Sequence, residues 1–412
     1  MGYFKNTVIG LSWVGALRGS TRVITFVRII ILARLLTPAQ FGVFGIGSLV
    51  LAFLEVITET GINVFLIQDK KGIGHYINDA WIVSILRGMI ISAVIIMLAP
   101  VIAGFFNTDQ AKNILYLISL VPFIKGFINP SGVKYQKELL FDKDFYLRLT
   151  VFFIDSGFAV ILAFITRDAT SFVWGLIAGA FAEVALSFIF IKPRPSLSFR
   201  KENILKIFGK GKWVTLFTIF DYFAEQLDSI IVGRMLGTAS LGIYQMGYKV
   251  STLPISEVSD TVNKVVFPVY SKIESDKKRL KKAFIKTMGV VIVLTFLFGF
   301  AIFFVPKELI IFVLGKNWIN VIFVIKILVF YGILRSISGT TASLFFALGK
   351  QNYFALTTFV RLFVLAVLIA PLTSLYGIVG SASAVLLSVA IEFPFIIYLL
   401  FFIFSKKEKY AR

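Results

Sequence analysis

The feature that most constrains this chain is a succession of about twelve long apolar stretches separated by short polar junctions. They cover roughly residues 7–32, 41–67, 80–104, 112–130, 146–166, 172–191, 212–234, 241–268, 284–305, 319–347, 353–372 and 377–404. A helix needs about 20 apolar residues to cross a bilayer, whereas a barrel strand needs about ten residues of alternating polarity. The pattern therefore predicts an all-α membrane protein with about 12 transmembrane helices.

Composition excludes several functional classes. Hydrophobic residues make up 58% of the chain and charged residues only 16%, too few to cover a water-soluble particle. The sequence contains no Cys, which excludes disulfides and thiolate metal sites, and its one histidine is His75. It also lacks a phosphate-binding loop and an HExxH motif, so we expect no catalytic residues, no metal site and no ATP hydrolysis.

The distribution of basic residues predicts the orientation in the membrane. If the N-terminus is cytoplasmic, the cytoplasmic segments hold 24 Lys and Arg residues and the outer loops hold 6. Cytoplasmic loops carry the excess of Lys and Arg, so both termini are expected inside a cell membrane. The excess of Lys and Arg in the predicted cytoplasmic segments accounts for most of the net charge of +20, so the charge does not require a nucleic-acid partner. The basic loops 192–212 and 272–282 are expected to lie against anionic lipid headgroups.

An internal repeat predicts two lobes. Shifting the sequence by 200 positions places residues 33–50 on residues 233–250, where an Arg and two Gly coincide among other identities. Six predicted spans separate the copies, so both halves have the same orientation, as in transporters with parallel repeats. We predict an N-lobe over 1–191, a basic cytoplasmic linker over 192–212 and a C-lobe over 213–412.

Charged residues inside the apolar stretches are the candidate functional residues. A charge near the bilayer centre costs about 2.5–3.5 kcal/mol on insertion scales, so it is expected to be paired or to face a wet cavity. The main set lies in the first, second, seventh and eighth stretches: Arg18, Arg22, Glu55, Glu59, Asp221, Glu225, Asp228 and Lys249. Other charges are isolated in sequence, among them Arg87, Asp155, Arg335, Arg361 and Glu392.

Two interpretations of these charges remain open at this point. They form structural ion pairs, with Arg18 and Arg22 matched to Glu55 and Glu59, or they line a polar cavity between the lobes. The first six stretches hold more basic than acidic residues, and such a buried cationic surplus favours an anionic ligand. The seventh stretch places three carboxylates within two turns, so at least one of them is expected to hold a proton.

Several motifs in order resemble the polysaccharide exporter family, the Wzx-like O-antigen and teichuronic-acid flippases of the multidrug and oligosaccharidyl-lipid exporter (MATE-like) superfamily. They include ARLLTPAQFGVF (33–44), NPSGVKYQKELLFDKDF (129–145), LDSIIVGRMLGTASLGIYQMGYKVSTLP (227–254) and ALGKQNY (347–353). The resemblance implies a transporter with two six-helix lobes around a central cavity. It also implies flipping of a polyprenyl-pyrophosphate-linked oligosaccharide to the outer leaflet by alternating access, for surface polysaccharide assembly.

The resemblance also implies roles for individual residues: the family's cationic cavity maps onto Arg18, Arg22 and Lys249, and its polar LDxxxxG pattern maps onto Asp228. Taken together with the charges inside the apolar stretches, the predicted substrate-binding cations are Arg18, Arg22, Lys249 and Arg335. The predicted coupling or gating acids are Glu55, Glu59, Asp221, Glu225 and Asp228. No cofactor is implied beyond possible Na⁺ or H⁺ coupling, and the partners would be membrane lipids and glycan-assembly membrane proteins. This chain departs from the family pattern at Glu225, where an amide is usual, and at Ser229, where a basic residue is usual.

Two alternative functions remain. A cation-coupled drug exporter of the same superfamily would need acids facing the cavity and few cations, which Arg18 and Arg22 disfavour. A membrane-embedded glycan polymerase or ligase usually carries a sizeable outer loop with catalytic residues. The longest predicted outer loop, at about 305–318, is mostly apolar and lacks His.

Overall fold

A computed structural model describes residues 2–58, 66, 76–196, 198 and 212–405. These residues contain helices and no β-strand. The helices are α1 (Gly2–Leu35), α2 (Pro38–Ile57), α3 (Ile77–Phe105), α4 (Gln110–Ile118), α5 (Leu120–Lys125), α6 (Val133–Lys137), α7 (Phe141–Thr166), α8 (Thr170–Phe190), α9 (Lys212–Lys272), α10 (Lys277–Phe303), α11 (Lys307–Leu314), α12 (Val321–Ala347) and α13 (Gln351–Ser405).

Helix length and composition agree with a multi-pass membrane protein. Seven helices in the described part of the chain are long and apolar enough to cross a bilayer. An eighth crossing results if the helices over 110–125 and 130–137, which are bent by 67°, form one span. Many large apolar side chains on these helices are exposed, as expected for surfaces that face lipid. The prediction of an all-α membrane fold is confirmed, and the count of about 12 spans stays a prediction.

Glycines divide the two longest helices. α13 has 55 residues, which at 1.5 Å per residue is about twice the length needed to cross the hydrocarbon core. It leaves helical geometry at Gly377, where φ is 59°, and α9 does so at Gly237, where φ is 80°. Only glycine adopts such angles readily. Each long helix therefore has two arms. Gly237 lies between two predicted spans, and Gly377 is the first residue of the last predicted span.

The helix bounds differ from the apolar stretches in two places. The stretch over 112–130 is one predicted span, but it is divided into α4, α5 and a bent continuation. The stretch over 41–67 begins as predicted, because Thr37 caps α2 in a reciprocal capping box with Gln40 and Pro38 fills the first turn. However, α2 ends at Ile57, and Thr58 satisfies the carbonyl groups of its last turn.

The chain forms two compact units, Met1–Tyr222 and Phe223–Arg412. In the first unit, α7 packs on α8 and α1, and an apolar core that includes Ile95, Leu115 and Val173 joins α3, α4 and α8. In the second unit, α12 packs on α10 and α13 and is largely buried. The predicted lobes and the linker over 192–212 stay predictions, since residues 197 and 199–211 lie outside the described part.

Candidate functional site

A polar stripe on α12 organises the interior of the second unit. Tyr331, Arg335 and Ser338 recur at intervals of four and three residues, so they lie on one face of the helix. Each of them contacts a polar side chain from another helix of the same unit. We call this set of contacts the α12 polar column.

The centre of the α12 polar column is one carboxylate held by two guanidinium groups. Glu225, from the first arm of α9, accepts from Arg335 Nη2 at 2.7 Å and from Arg335 Nε at 3.2 Å, both at Oε1. The same oxygen accepts from Nη2 of Arg361, on the first arm of α13, at 3.2 Å. The Arg361 side chain is 2% exposed, whereas those of Glu225 and Arg335 are 27% and 25% exposed. Charge-assisted bonds of this kind stabilise the ionised carboxylate.

Tyrosines from the second arm of α9 complete the contacts of the acids. The Tyr244 hydroxyl donates to Asp228 Oδ2 at 2.6 Å, and the Ser229 N–H donates to Asp228 Oδ1 at 2.7 Å. The Tyr248 hydroxyl lies 3.5 Å from Glu225 Oε2 and 3.3 Å from the Tyr331 hydroxyl. Both Glu225 and Asp228 are therefore hydrogen-bonded inside the second unit.

Some buried polar atoms of the α12 polar column, among the described residues, have no hydrogen-bond partner. The Ser338 hydroxyl donates to Oε1 of Glu392 at 3.0 Å, and Glu392 is 1% exposed. Among the described residues, the other Glu392 oxygen and the Nε and Nη1 atoms of Arg361 are buried without a partner. Such groups are rare in native interiors, since leaving each one unpaired costs about 1–3 kcal/mol. The column therefore contains charged groups whose hydrogen-bonding capacity is only partly used.

The first unit contains a second buried ion pair. Arg28 Nη1 on α1 donates to Asp155 Oδ2 on α7 at 2.8 Å, with both side chains 11% exposed. The Arg28 guanidinium also lies 5.9 Å from the ring centroid of Phe172. Gly175 and Gly179 of α8 leave room for Asp155. A Cβ at either position would lie 2.9 Å or less from atoms of α7, including atoms of Asp155. The pair is therefore built into the packing of α1, α7 and α8.

The other predicted residues occupy more open positions. Arg18 and Arg22 are exposed on α1, Lys249 is exposed on α9, and Glu55 and Asp221 are half-buried. The backbone carbonyl of Glu55 accepts from Arg87, which also contacts the Thr58 hydroxyl. Glu59 lies outside the described residues, so its predicted pairing is not described either.

The structure thus joins several charges that are isolated in sequence. Arg335 and Arg361 share Glu225, and Asp155 pairs with Arg28. The sequence does not reveal that Arg361 and Glu392 belong to the α12 polar column, or that tyrosines contact its acids. An arginine inside an apolar stretch does indicate a buried partner, but its spacing does not identify which acid provides it.

Comparison with known proteins gives one family and several relatives. A sequence model of the family described as "Polysaccharide biosynthesis protein" matches residues 31–323. An uncharacterized membrane protein in the cps region of Klebsiella pneumoniae is 29% identical over 383 residues, covering 90% of this chain and 77% of that protein. The lipopolysaccharide biosynthesis protein WzxC of Escherichia coli K12 is 24% identical, covering 84% and 71%. The probable low-salt glycan biosynthesis flippase Agl15 of Haloferax volcanii is 23% identical, covering 89% and 78%.

Solved structures share the fold. The lipid II flippase MurJ in its inward closed conformation superposes with a TM-score of 0.73 at 15% identity, covering 94% of this chain and 87% of that one. An inward-facing multidrug resistance MATE transporter gives a TM-score of 0.67 at 13% identity, covering 94% and 96%. At these identities the likeness establishes the fold alone, and it is the fold of MATE-like exporters.

Proposed function

Since the chain belongs to the polysaccharide biosynthesis protein family, we propose that it is a flippase for a lipid-linked oligosaccharide. The observation that carries the proposal is the family match over residues 31–323 together with the relatives, which are named for polysaccharide or glycan biosynthesis and in one case as a flippase. The shared fold with a lipid II flippase supports the same reaction class. On this proposal the protein is a transporter and performs no covalent chemistry.

The cationic surface of α1 suits a phosphate-bearing substrate. No Asp or Glu precedes Glu55 in the sequence, so α1, which carries Arg18 and Arg22, has basic but no acidic residues. A pyrophosphate brings about two negative charges, which inside a membrane need Arg or Lys partners. We therefore propose a polyprenyl-pyrophosphate-linked oligosaccharide, with its phosphates against Arg18 and Arg22. Lys249 is a further candidate because it too is exposed.

The proposed direction is from the cytoplasmic to the outer leaflet of the cell membrane, with both termini cytoplasmic. The basic bias of the predicted cytoplasmic loops supports this orientation. An inside-negative potential favours outward movement of an anion by about 2.3 kcal/mol per charge per 100 mV. Export of an anionic lipid in this direction therefore needs no ATP.

The α12 polar column supports a gating role for Glu225 and Asp228. Arg335 already donates two hydrogen bonds to Glu225, so we assign it to this column first and to the substrate second. Arg361 and Glu392 both have unused hydrogen-bonding atoms, so a change of partner gives the second unit two ionic arrangements. Coupling to Na⁺ or H⁺ through this unit remains part of the proposal, and Glu392 is the candidate acid because, among the described residues, its Oε2 is buried without a hydrogen-bond partner.

The MATE-like fold keeps a drug exporter as the second candidate. The two functions are separated by reconstituting the purified protein in proteoliposomes with a fluorescent short-chain polyprenyl-pyrophosphate oligosaccharide. We expect movement between leaflets, measured by quenching from outside, and loss of movement in an Arg18→Ala/Arg22→Ala variant that still folds. Drug efflux driven by an ion gradient, with no lipid movement, would replace the flippase proposal by the exporter.

A further inference from the structure

An apolar cavity lies between α1 and α7 in the first unit. Its volume is about 780 Å³, within the range of pockets that hold small molecules. We call it the α1–α7 slot, and its apolar lining comes from Ala16, Val23, Ile24, Leu149, Phe153 and Ile154. Val23 and Phe153 are 64% and 67% exposed, so the slot leaves much apolar surface uncovered by the protein itself.

The two helices are fastened on both sides of the slot. At one end Arg28 pairs with Asp155 at 2.8 Å. At the other end the ring of Trp13 packs on Phe145, with centroids 5.1 Å apart. Specific contacts between the two helices therefore lie at both ends of the slot.

Two glycines connect the slot with the arginines of α1. On a helical wheel of 100° per residue, Gly15 and Gly19 lie between the stripe that faces the slot and the stripe of Arg18 and Arg22. A Cβ at Gly15 or Gly19 would meet nothing within 4 Å, so packing requires neither glycine. Each costs the helix about 1 kcal/mol relative to alanine. The path from the slot to the guanidinium groups is therefore smooth and open.

From this arrangement, and resting on the proposed function, we propose that the α1–α7 slot binds the isoprenoid chain of an anionic carrier lipid. The lipid phosphate lies against Arg18 and Arg22, and the chain passes over Gly15 and Gly19 into the slot. The charge of the arginines beside an apolar cavity selects a molecule with an anionic head directly attached to a hydrocarbon chain. A neutral isoprenoid alcohol has the same chain but lacks the charge.

Photo-crosslinking of the full-length protein in detergent tests this site. The probe is a long-chain isoprenyl phosphate with a diazirine in its chain, and mass spectrometry locates the labelled peptide. We expect labelling within residues 149–154, displaced by unlabelled isoprenyl phosphate but not by a tenfold excess of phosphatidylglycerol or isoprenyl alcohol. Gly19→Leu, which fills the path, should lower this labelling at least fivefold. Gly289→Leu is the matched control, because Gly289 is also an exposed helix glycine with open space around it.

Three outcomes overturn the inference. These are uniform labelling of the lipid-facing helices, equal displacement by phosphatidylglycerol (which would mean ordinary membrane lipid), and equal loss of labelling in both glycine variants. If the wild-type protein flips the oligosaccharide lipid in proteoliposomes while any of these occurs, the slot assignment fails and the proposed function stands. Absence of flipping by the wild-type protein refutes the proposed function independently of labelling.

Discussion

Replacing Glu225 by glutamine removes one negative charge from between two guanidinium groups and keeps the shape of the side chain. Arg361, 2% exposed, then loses the carboxylate at 3.2 Å that balances its charge. Removing one partner of a buried ion pair costs about 3–5 kcal/mol. Because Glu225 is itself 27% exposed and the amide oxygen still accepts hydrogen bonds, we expect the lower end, about 3 kcal/mol.

The assay is a double-mutant cycle of Glu225→Gln and Arg361→Gln, followed by thermal unfolding of the purified protein in detergent. A loss of about 3 kcal/mol corresponds to a fall in melting temperature of roughly 6–12 °C for a unit of this size. The double variant removes the uncompensated charge as well, so it should recover part of that loss. Arg335→Gln in the same background reports how much of the stability comes from the more exposed guanidinium.

A cycle in which the two effects add within about 0.5 kcal/mol would refute this reasoning, since additivity is the behaviour of sites that do not interact. A melting temperature unchanged in Glu225→Gln would do the same. In either case the contacts of Glu225 would be incidental. Another acid would then have to balance the positive charge of Arg335 and Arg361, and Glu392 of the same unit is the candidate.

Three further predictions follow from other parts of the chain. Gly175→Ala should lower stability by about 1–3 kcal/mol, because the added Cβ would lie 2.7–2.9 Å from backbone and side-chain atoms. Gly104→Ala is the control and should not lower stability, because a Cβ there meets nothing within 4 Å. The melting temperatures of the two variants test this prediction. The Arg18→Ala/Arg22→Ala variant should insert into the membrane normally but abolish glycan export in cells. Lys at both sites should restore part of the export, because it returns the charge without the bidentate geometry of arginine. Full export by the double Ala variant would contradict a role in phosphate binding. Ser196→Cys in this Cys-free chain should react with a membrane-impermeant maleimide only after the membrane is opened, and reaction in intact cells would reverse the predicted orientation.

The sequence predicts the helices well because burial in a bilayer requires long apolar stretches, and these are visible without an alignment. The glycines that break α9 and α13 lie between two of these stretches, at Gly237, or at the first residue of the next one, at Gly377. The break between α4 and α5 was not predicted, although Pro122 signals it: proline cannot donate to the carbonyl four residues earlier, which is that of Ile118, where α4 ends.

The candidate site is less predictable because its contacts join distant parts of the chain. Glu225 and Arg361 are 136 positions apart, and Arg28 and Asp155 are 127 apart. Helical periodicity indicates which charges share a face of one helix, but the partner depends on the packing of two or three helices. The tyrosine contacts carry no charge signal at all. The sequence therefore indicates that the charges need partners, and the fold determines which ones they have.

The two buried ion pairs place the base and the acid in opposite order along the chain. In the first unit the basic residue, Arg28, is on the first helix and the acid, Asp155, is on α7. In the second unit the acid, Glu225, is on the first arm of α9, the unit's opening helix, and the buried base, Arg361, is on the first arm of α13. Each pair is costly to break, since an unpaired buried charge costs about 3–5 kcal/mol, comparable with much of the stability of a domain. Helices joined in this way should therefore move together during transport. Arg18 and Arg22 of α1, by contrast, are exposed, which is the position that contact with an anionic substrate requires.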